Sequence, residues 1–163
     1  MNKIKLAVAS LAAVAAVVGA FQRPSSADAH CHNVVGNISV KVRATNCTSP
    51  VGLCTSGTID STYLHGTTSY VTAALIPAAQ PGDSAYYGTL TLTTAQGTLT
   101  LQDSGVLSFG GGQFSEYANV ISGTGAFAGA TGTLFMGGFM PADRSGFDGS
   151  MQGQICNVAY DGD

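Results

Sequence analysis

Tryptophan is absent from the sequence, glutamate occurs once, as Glu116, and charged residues make up only 9% of its 163 positions. Beyond residue 29 the basic residues are Lys41, Arg43 and Arg144, against eight acidic ones, a net charge of −5. Three scattered cations form no stripe able to neutralise successive phosphates, so nucleic acid and anionic membrane surfaces are excluded as expected partners. Without tryptophan the chain also lacks the usual platform of a flat carbohydrate-binding face. The longest apolar run, Leu6 to Ala20, falls short of the roughly 20 residues that cross a bilayer, and no membrane span is expected. Helical periodicity is nearly missing after that run, which excludes folds built on helices.

What is present begins with Lys3 and Lys5 ahead of the apolar run, Pro24 behind it, and then Ala27-Asp28-Ala29. A charged start, a short apolar centre and a small-residue cleavage pattern describe a secretory signal peptide, residues 1–29. Cleavage is expected after Ala29, with Ala27 the nearest competitor. Residues 30–163 then form a single domain of 134 residues, long enough to bury a sizeable core, in a secreted or periplasmic protein. All four cysteines, Cys31, Cys47, Cys54 and Cys156, lie beyond that point, and an even count in an exported chain predicts two disulfides. Zinc is the poorer reading, because the Cys47–Cys54 spacing is wider than a zinc knuckle and no second Cys or His pair follows.

Alternation of period two runs through the rest of the chain. In "GTLTLTTAQGTLTLQD", Leu90 and Leu92 point one way and Thr89, Thr91 and Thr93 the other. After Ala95-Gln96-Gly97, Leu99 and Leu101 repeat the pattern, so the segment is a hairpin. The same reading predicts eight strands, at 37–44, 57–64, 67–76, 87–95, 98–108, 113–121, 131–139 and 149–158. Short glycine-rich links and no intervening helices predict an all-β, eight-stranded antiparallel up-and-down barrel, since closure removes exposed edges. Which face of the leucine hairpin points inward, and so whether the barrel is filled or hollow, is left open by alternation alone.

In such a barrel the first and last strands are neighbours. Cys31 precedes the first and Cys156 sits near the end of the last, so these two are expected to pair. Cys47 and Cys54 then staple the "CTSPVGLC" loop at the other barrel end; crossed pairing would require cysteines from opposite ends to meet.

The stretch "SGTGAFAGATGTLF", Ser122–Phe135, raises the question of a nucleotide loop. Its spacing is G-x-G-x-x-x-G, no helix follows, and no Lys-Ser/Thr pair completes a phosphate loop. A β-corner explains the residues better: Gly123 and Gly125 permit a sharp turn, and Phe127 folds inward to close one barrel end. Here "ISGTGAFAGATGTL" resembles the G-T-G-x-F-x-x-A-x-G signature of the allene oxide cyclase and dirigent-protein family, and "YYGTLTLTTAQGTLTLQDSGVLSF" and "GQFSEYANVI" fit the same pattern. The resemblance covers roughly residues 57 to 156. It implies an eight-stranded calycin-like barrel, often a homo-oligomer. Some members of the family steer the cyclisation or coupling of small organic molecules without metal or organic cofactor, and none is expected here. No pocket residue of the family can be carried over by motif.

Candidate chemistry is sparse. Glu116 shares a strand face with Phe114, Ala118 and Val120; a carboxyl on an apolar face has its pKa raised and can donate a proton, which makes it the candidate catalytic group. If that face is the exterior, Glu116 simply meets solvent. Tyr63, Tyr70, Tyr86, Tyr87 and Tyr117 are aromatic candidates for a lumen, alongside Phe127, and His65 is a candidate base or ligand at a barrel mouth, against an ordinary exposed turn histidine. Asp103, after the leucine ladder, is expected to cap a turn. His30 and His32, beside a new N-terminal amine, would make a nitrogen set suited to copper, with His65 as a second contributor.

Three functions follow, in falling order of support. The first is a secreted barrel that binds a small hydrophobic molecule, with Glu116, Tyr63, Tyr70, Tyr117, His65 and Phe127 as candidate site residues, and that steers the molecule's cyclisation or coupling. The second is a non-catalytic extracellular or envelope protein, its barrel filled by Leu90, Leu92, Leu99, Leu101, Phe135 and Phe139. The third is an N-terminal copper protein.

Overall fold

The structure is a computed structural model that describes residues 29–158. The expected signal peptide, apart from Ala29, lies outside the described residues. Eight strands follow in order: β1 (Ala29–Val42), β2 (Cys54–Ser61), β3 (His65–Pro77), β4 (Asp83–Thr94), β5 (Gly97–Ser108), β6 (Gln113–Gly123), β7 (Thr131–Phe139) and β8 (Gly146–Val158). Each pairs antiparallel with the next, and β8 closes on β1, so the sheet is a complete barrel without edges. This is the up-and-down barrel that the alternation predicts, with both disulfides, Cys31–Cys156 and Cys47–Cys54, in place.

The largest difference in strand ends is at β1, which begins at Ala29 rather than at residue 37. "HCHNVVG" has no clean alternation, but it pairs with β8 without a break from Ala29↔Val158 to Lys41↔Gly146. Cys31 stands opposite Cys156 in that ladder, so the bridge fixes the seam of the barrel.

Leu90, Leu92, Leu99 and Leu101 all point inward and are buried, joined by Val34, Ile59, Leu134, Met151 and Ile155. Burying each such side chain contributes about 1.5–3 kcal/mol. Phe135 and Phe139, expected to help fill the barrel, face outward and are 49% and 52% exposed. Strand parity is the reason: Leu134 and Met136 take the inward positions of β7, which turns Phe135 and Phe139 to the outer face.

The two barrel ends differ. At the end holding the start of β1 and the β2–β3, β4–β5 and β6–β7 connections, Phe127 and Leu64 are both fully buried. Phe127 belongs to a single 3₁₀ turn, Gly125–Phe127, whose first residue has φ of 60°, a left-handed value that favours glycine. The glycine-rich stretch is therefore the corner that seals one end. At the opposite end the Cys47–Cys54 loop docks on β3, Thr72 N–H donating to the Leu53 carbonyl (3.1 Å) and Ser49 Oγ to the Thr72 carbonyl (2.6 Å).

Candidate functional site

A mouth pocket at this second end, between the Cys47–Cys54 loop and the lumen, gathers four polar side chains from four successive strands: Tyr70 (β3), Tyr86 (β4), Asp103 (β5) and Glu116 (β6). Their arrangement repeats itself. Tyr86 lies opposite Gly105, and Gly105 opposite Glu116. A Cβ on Gly105 would stand 2.8 Å from the Tyr86 hydroxyl, so the phenol lies flat across the bare glycine towards Glu116. Its hydroxyl donates a hydrogen bond to Glu116 Oε1. One step along, the Tyr70 phenol covers Gly88, where an added Cβ would stand 2.7 Å from its hydroxyl. Gly88 is flanked in register by Thr72 and Asp103. Each tyrosine thus occupies space that a glycine on the next strand vacates. A bulge at Ala73 shifts the β3–β4 register just beyond Thr72, beside this layer.

Thr55 of β2 adds a hydroxyl, and the rest of the lining is apolar: Ile38, Val40, Leu53, Leu90, Leu107, Phe114 and Phe147. The rings form two edge-to-face pairs, Tyr70 on Tyr86 with centroids 6.2 Å apart and Phe114 on Phe147 at 5.5 Å. The cavity among them is about 40 Å³. Since a water-sized probe occupies about 10–15 Å³, it has room for a few water-sized groups.

Asp103 is 1% exposed, and neither of its carboxyl oxygens has a hydrogen-bond partner within the protein. The hydroxyls of Tyr70, Thr68 and Thr72, buried on the same inward face of β3, are likewise unpartnered. Such groups are uncommon in a native interior, because each forfeits its bonds to water. Burial pushes the Asp103 carboxyl up to about 8, with the neighbouring Glu116 charge adding to it. Burial also raises Glu116, to about 7, while the Tyr86 hydrogen bond works the other way. Both phenols are held well above the ordinary tyrosine range, first by burial and then by the two carboxylates. The pair can therefore hold protons near neutrality, or present two carboxylates to a partner that compensates their charge.

Glu116 and Tyr70 are the two residues of the expected site that the pocket brings together. Tyr63 and Phe127 sit at the sealed end, their rings edge to face at 6.2 Å, with Tyr63 stacked on His32 and its hydroxyl accepting from Asn157 Nδ2 at 2.7 Å. His65 is on the surface, its Nδ1 2.7 Å from Asp60 Oδ1. Tyr117 is 41% exposed and packs on Phe135 outside the barrel, and Tyr87 is exposed as well. His30 and His32 are exposed on β1, and no cluster of three or more potential metal ligands occurs among the described residues.

Asp103 corrects its expectation. It lies within β5 rather than at a turn, paired with Gly88 and Ala118, and its side chain points into the lumen. The signal was its parity with Leu99 and Leu101, which places an acid in phase with a buried ladder. Compared with known proteins, the chain matches no family model and no curated sequence.

Proposed function

We propose that this is an exported barrel that binds a small, largely hydrophobic molecule at its mouth, with one polar group of the ligand inserted towards Asp103 and Glu116. The observation that carries the reading is the Asp103 carboxyl, buried and unpartnered on both oxygens in a pocket whose other walls are mostly apolar. A few convergent polar groups in an apolar concavity are the usual composition of a ligand site. The signal-peptide pattern and two disulfides support a secreted or periplasmic location. The resemblance to allene oxide cyclases and dirigent proteins supports a further step, in which the barrel steers cyclisation or coupling. Glu116, bonded to Tyr86, would then hold the proton at its carboxyl.

A specific observation favours a second reading, a filled barrel whose role lies on its outer surface. The 40 Å³ cavity is far smaller than the roughly 300 Å³ of an ordinary ligand pocket. On the first reading only the head of the ligand enters, and its body rests at the mouth against Leu53 and Phe147.

Native mass spectrometry of protein purified from its own culture medium separates the two. A stoichiometric organic adduct is the expected result, together with a denatured mass for a chain starting at His30 and two disulfides. A bare polypeptide, unchanged after exposure to lipid and terpenoid extracts, would sink the binding reading. The same spectrum reports whether the barrel is a homo-oligomer.

A further inference from the structure

We infer that the mouth pocket selects an organic cation, an alkylammonium whose charged head enters the lumen while its apolar body stays at the mouth. This rests on the reading of the pocket as a ligand site, and it adds the charge and hydrogen-bonding character of the ligand.

Donors and acceptors are unequal in this pocket. Tyr86 spends its only donor on Glu116 Oε1. Both Asp103 oxygens are unpartnered, and the remaining hydroxyls of the lining, on Tyr70 and Thr55, can each accept as well as donate. Once the acids are ionised, the pocket is rich in acceptors and poor in donors. A carboxylate or phosphate ligand would meet two acids with no counter-charge. A carbonyl or ether offers no N–H or O–H to the Asp103 oxygens. An ammonium group supplies up to three donors and the missing positive charge.

Charge points the same way. None of the residues lining the pocket is basic. The cations of the described residues are held elsewhere: Arg43 Nη2 donates to Ser69 Oγ at 3.3 Å, Arg144 lies over the Phe109 ring at 5.5 Å, and Lys41 is exposed. The protein itself therefore provides no counter-charge for two carboxyl groups withdrawn from water, and such charges are tolerated only when paired. Aromatic surface adds to the match, since Tyr70, Tyr86, Phe114 and Phe147 all border the space and ring faces attract organic cations. Size agrees too: the cavity admits a head group of a few heavy atoms but not a ring system.

The test uses the oxidised, secreted protein and three probes of equal length, n-octylammonium, 1-octanol and octanoate, titrated calorimetrically at pH 6. Octylammonium is expected to bind at least ten-fold more tightly than octanol, with octanoate weakest. Its binding should release about one proton to the buffer, read by repeating the titration in buffers of different ionisation enthalpy, because the entering cation ionises a protonated acid. In Asp103→Asn the octylammonium affinity should fall at least ten-fold while octanol changes less than two-fold. Octanol binding as tightly as octylammonium overturns the cationic ligand and leaves a hydrophobic pocket standing. Failure of all three probes overturns the pocket itself. Ammonium selectivity that survives Asp103→Asn and releases no proton also overturns the inference, because the cation then sits on the acidic outer surface. If Asp103→Asn does not fold, the wild-type selectivity and proton release decide alone.

Discussion

The Tyr86 hydroxyl reaches Glu116 by lying across Gly105, the residue that stands between them on the intervening strand. A glycine inside a strand ordinarily weakens it; here its missing side chain is the floor on which the phenol rests. Gly105→Ala would place a methyl 2.8 Å from the Tyr86 hydroxyl and 2.5 Å from the Ser115 carbonyl oxygen, so both the ring and the backbone must yield. We expect a loss of about 1–3 kcal/mol, the range for overpacking a tight interior. Denaturant midpoints measure it, and near-ultraviolet dichroism of the tyrosines reports the displaced ring. An alanine variant as stable as the parent would show that the phenol does not rest there.

Stability should fall as pH rises between about 4 and 8. Asp103 moves from an ordinary 3.8 to about 8 on folding, and Glu116 from 4.5 to about 7. Across that window the folded state binds more protons than the unfolded one, so raising pH favours unfolding. Each group contributes a slope of at most about 1.4 kcal/mol per pH unit. Below the ordinary carboxyl range both states are protonated, and above about 8 both are ionised, so the slope vanishes at either side. Urea midpoints between pH 5 and pH 8 test the sign, and Asp103→Asn should flatten the dependence.

The two disulfides should contribute unequally. Cys31–Cys156 closes 125 residues of chain and Cys47–Cys54 only 7. On the chain-entropy account the long bridge is worth about 5 kcal/mol and the short one about 2.5 kcal/mol. Replacing each pair by alanine and comparing thermal unfolding checks the order. Equal losses would place the stabilisation in local contacts of the native barrel rather than in restriction of the unfolded chain.

Most of the barrel is legible in the sequence because one physical rule, alternation, governs all eight strands and turn glycines punctuate them. That rule gives two faces without saying which is inner. Tyr86 and Tyr87 are adjacent, and one enters the lumen while the other meets solvent. What distinguishes them is Gly105, nineteen residues later, opposite Tyr86 only once the β4–β5 register is known. Asp103 was obscured for a related reason. An acid after a leucine ladder reads as a turn cap even inside a strand predicted at 98–108, and only the closed barrel shows that Asp103 faces the lumen. The first eight residues of β1 carry no alternation and owe their strand to the ladder with β8 and the bridge at Cys31.

The sharpest separation of a binding barrel from a merely filled one lies in Asp103 itself. A buried carboxyl with both oxygens unpartnered is a net burden on the fold, since it loses its water and gains no bond in return. Leucine has the same branched side-chain skeleton, its larger methyls have the cavity of about 40 Å³ beside them, and it suits a lining that includes Leu90 and Leu107. Asp103→Leu is therefore expected to stabilise the protein by about 1–3 kcal/mol, as when buried charged groups are exchanged for well-packed apolar ones. It should also abolish any stoichiometric adduct seen in the native mass spectrum. Stabilisation with loss of the adduct would mark Asp103 as a residue retained for binding against the interest of the fold, the usual trade at a functional site. Destabilisation would mean that the carboxyl is satisfied in solution, by ordered water for instance, and belongs to the architecture. Stabilisation with the adduct intact would move the ligand out of the lumen and onto the outer face, where Tyr117 and Phe135 stand exposed.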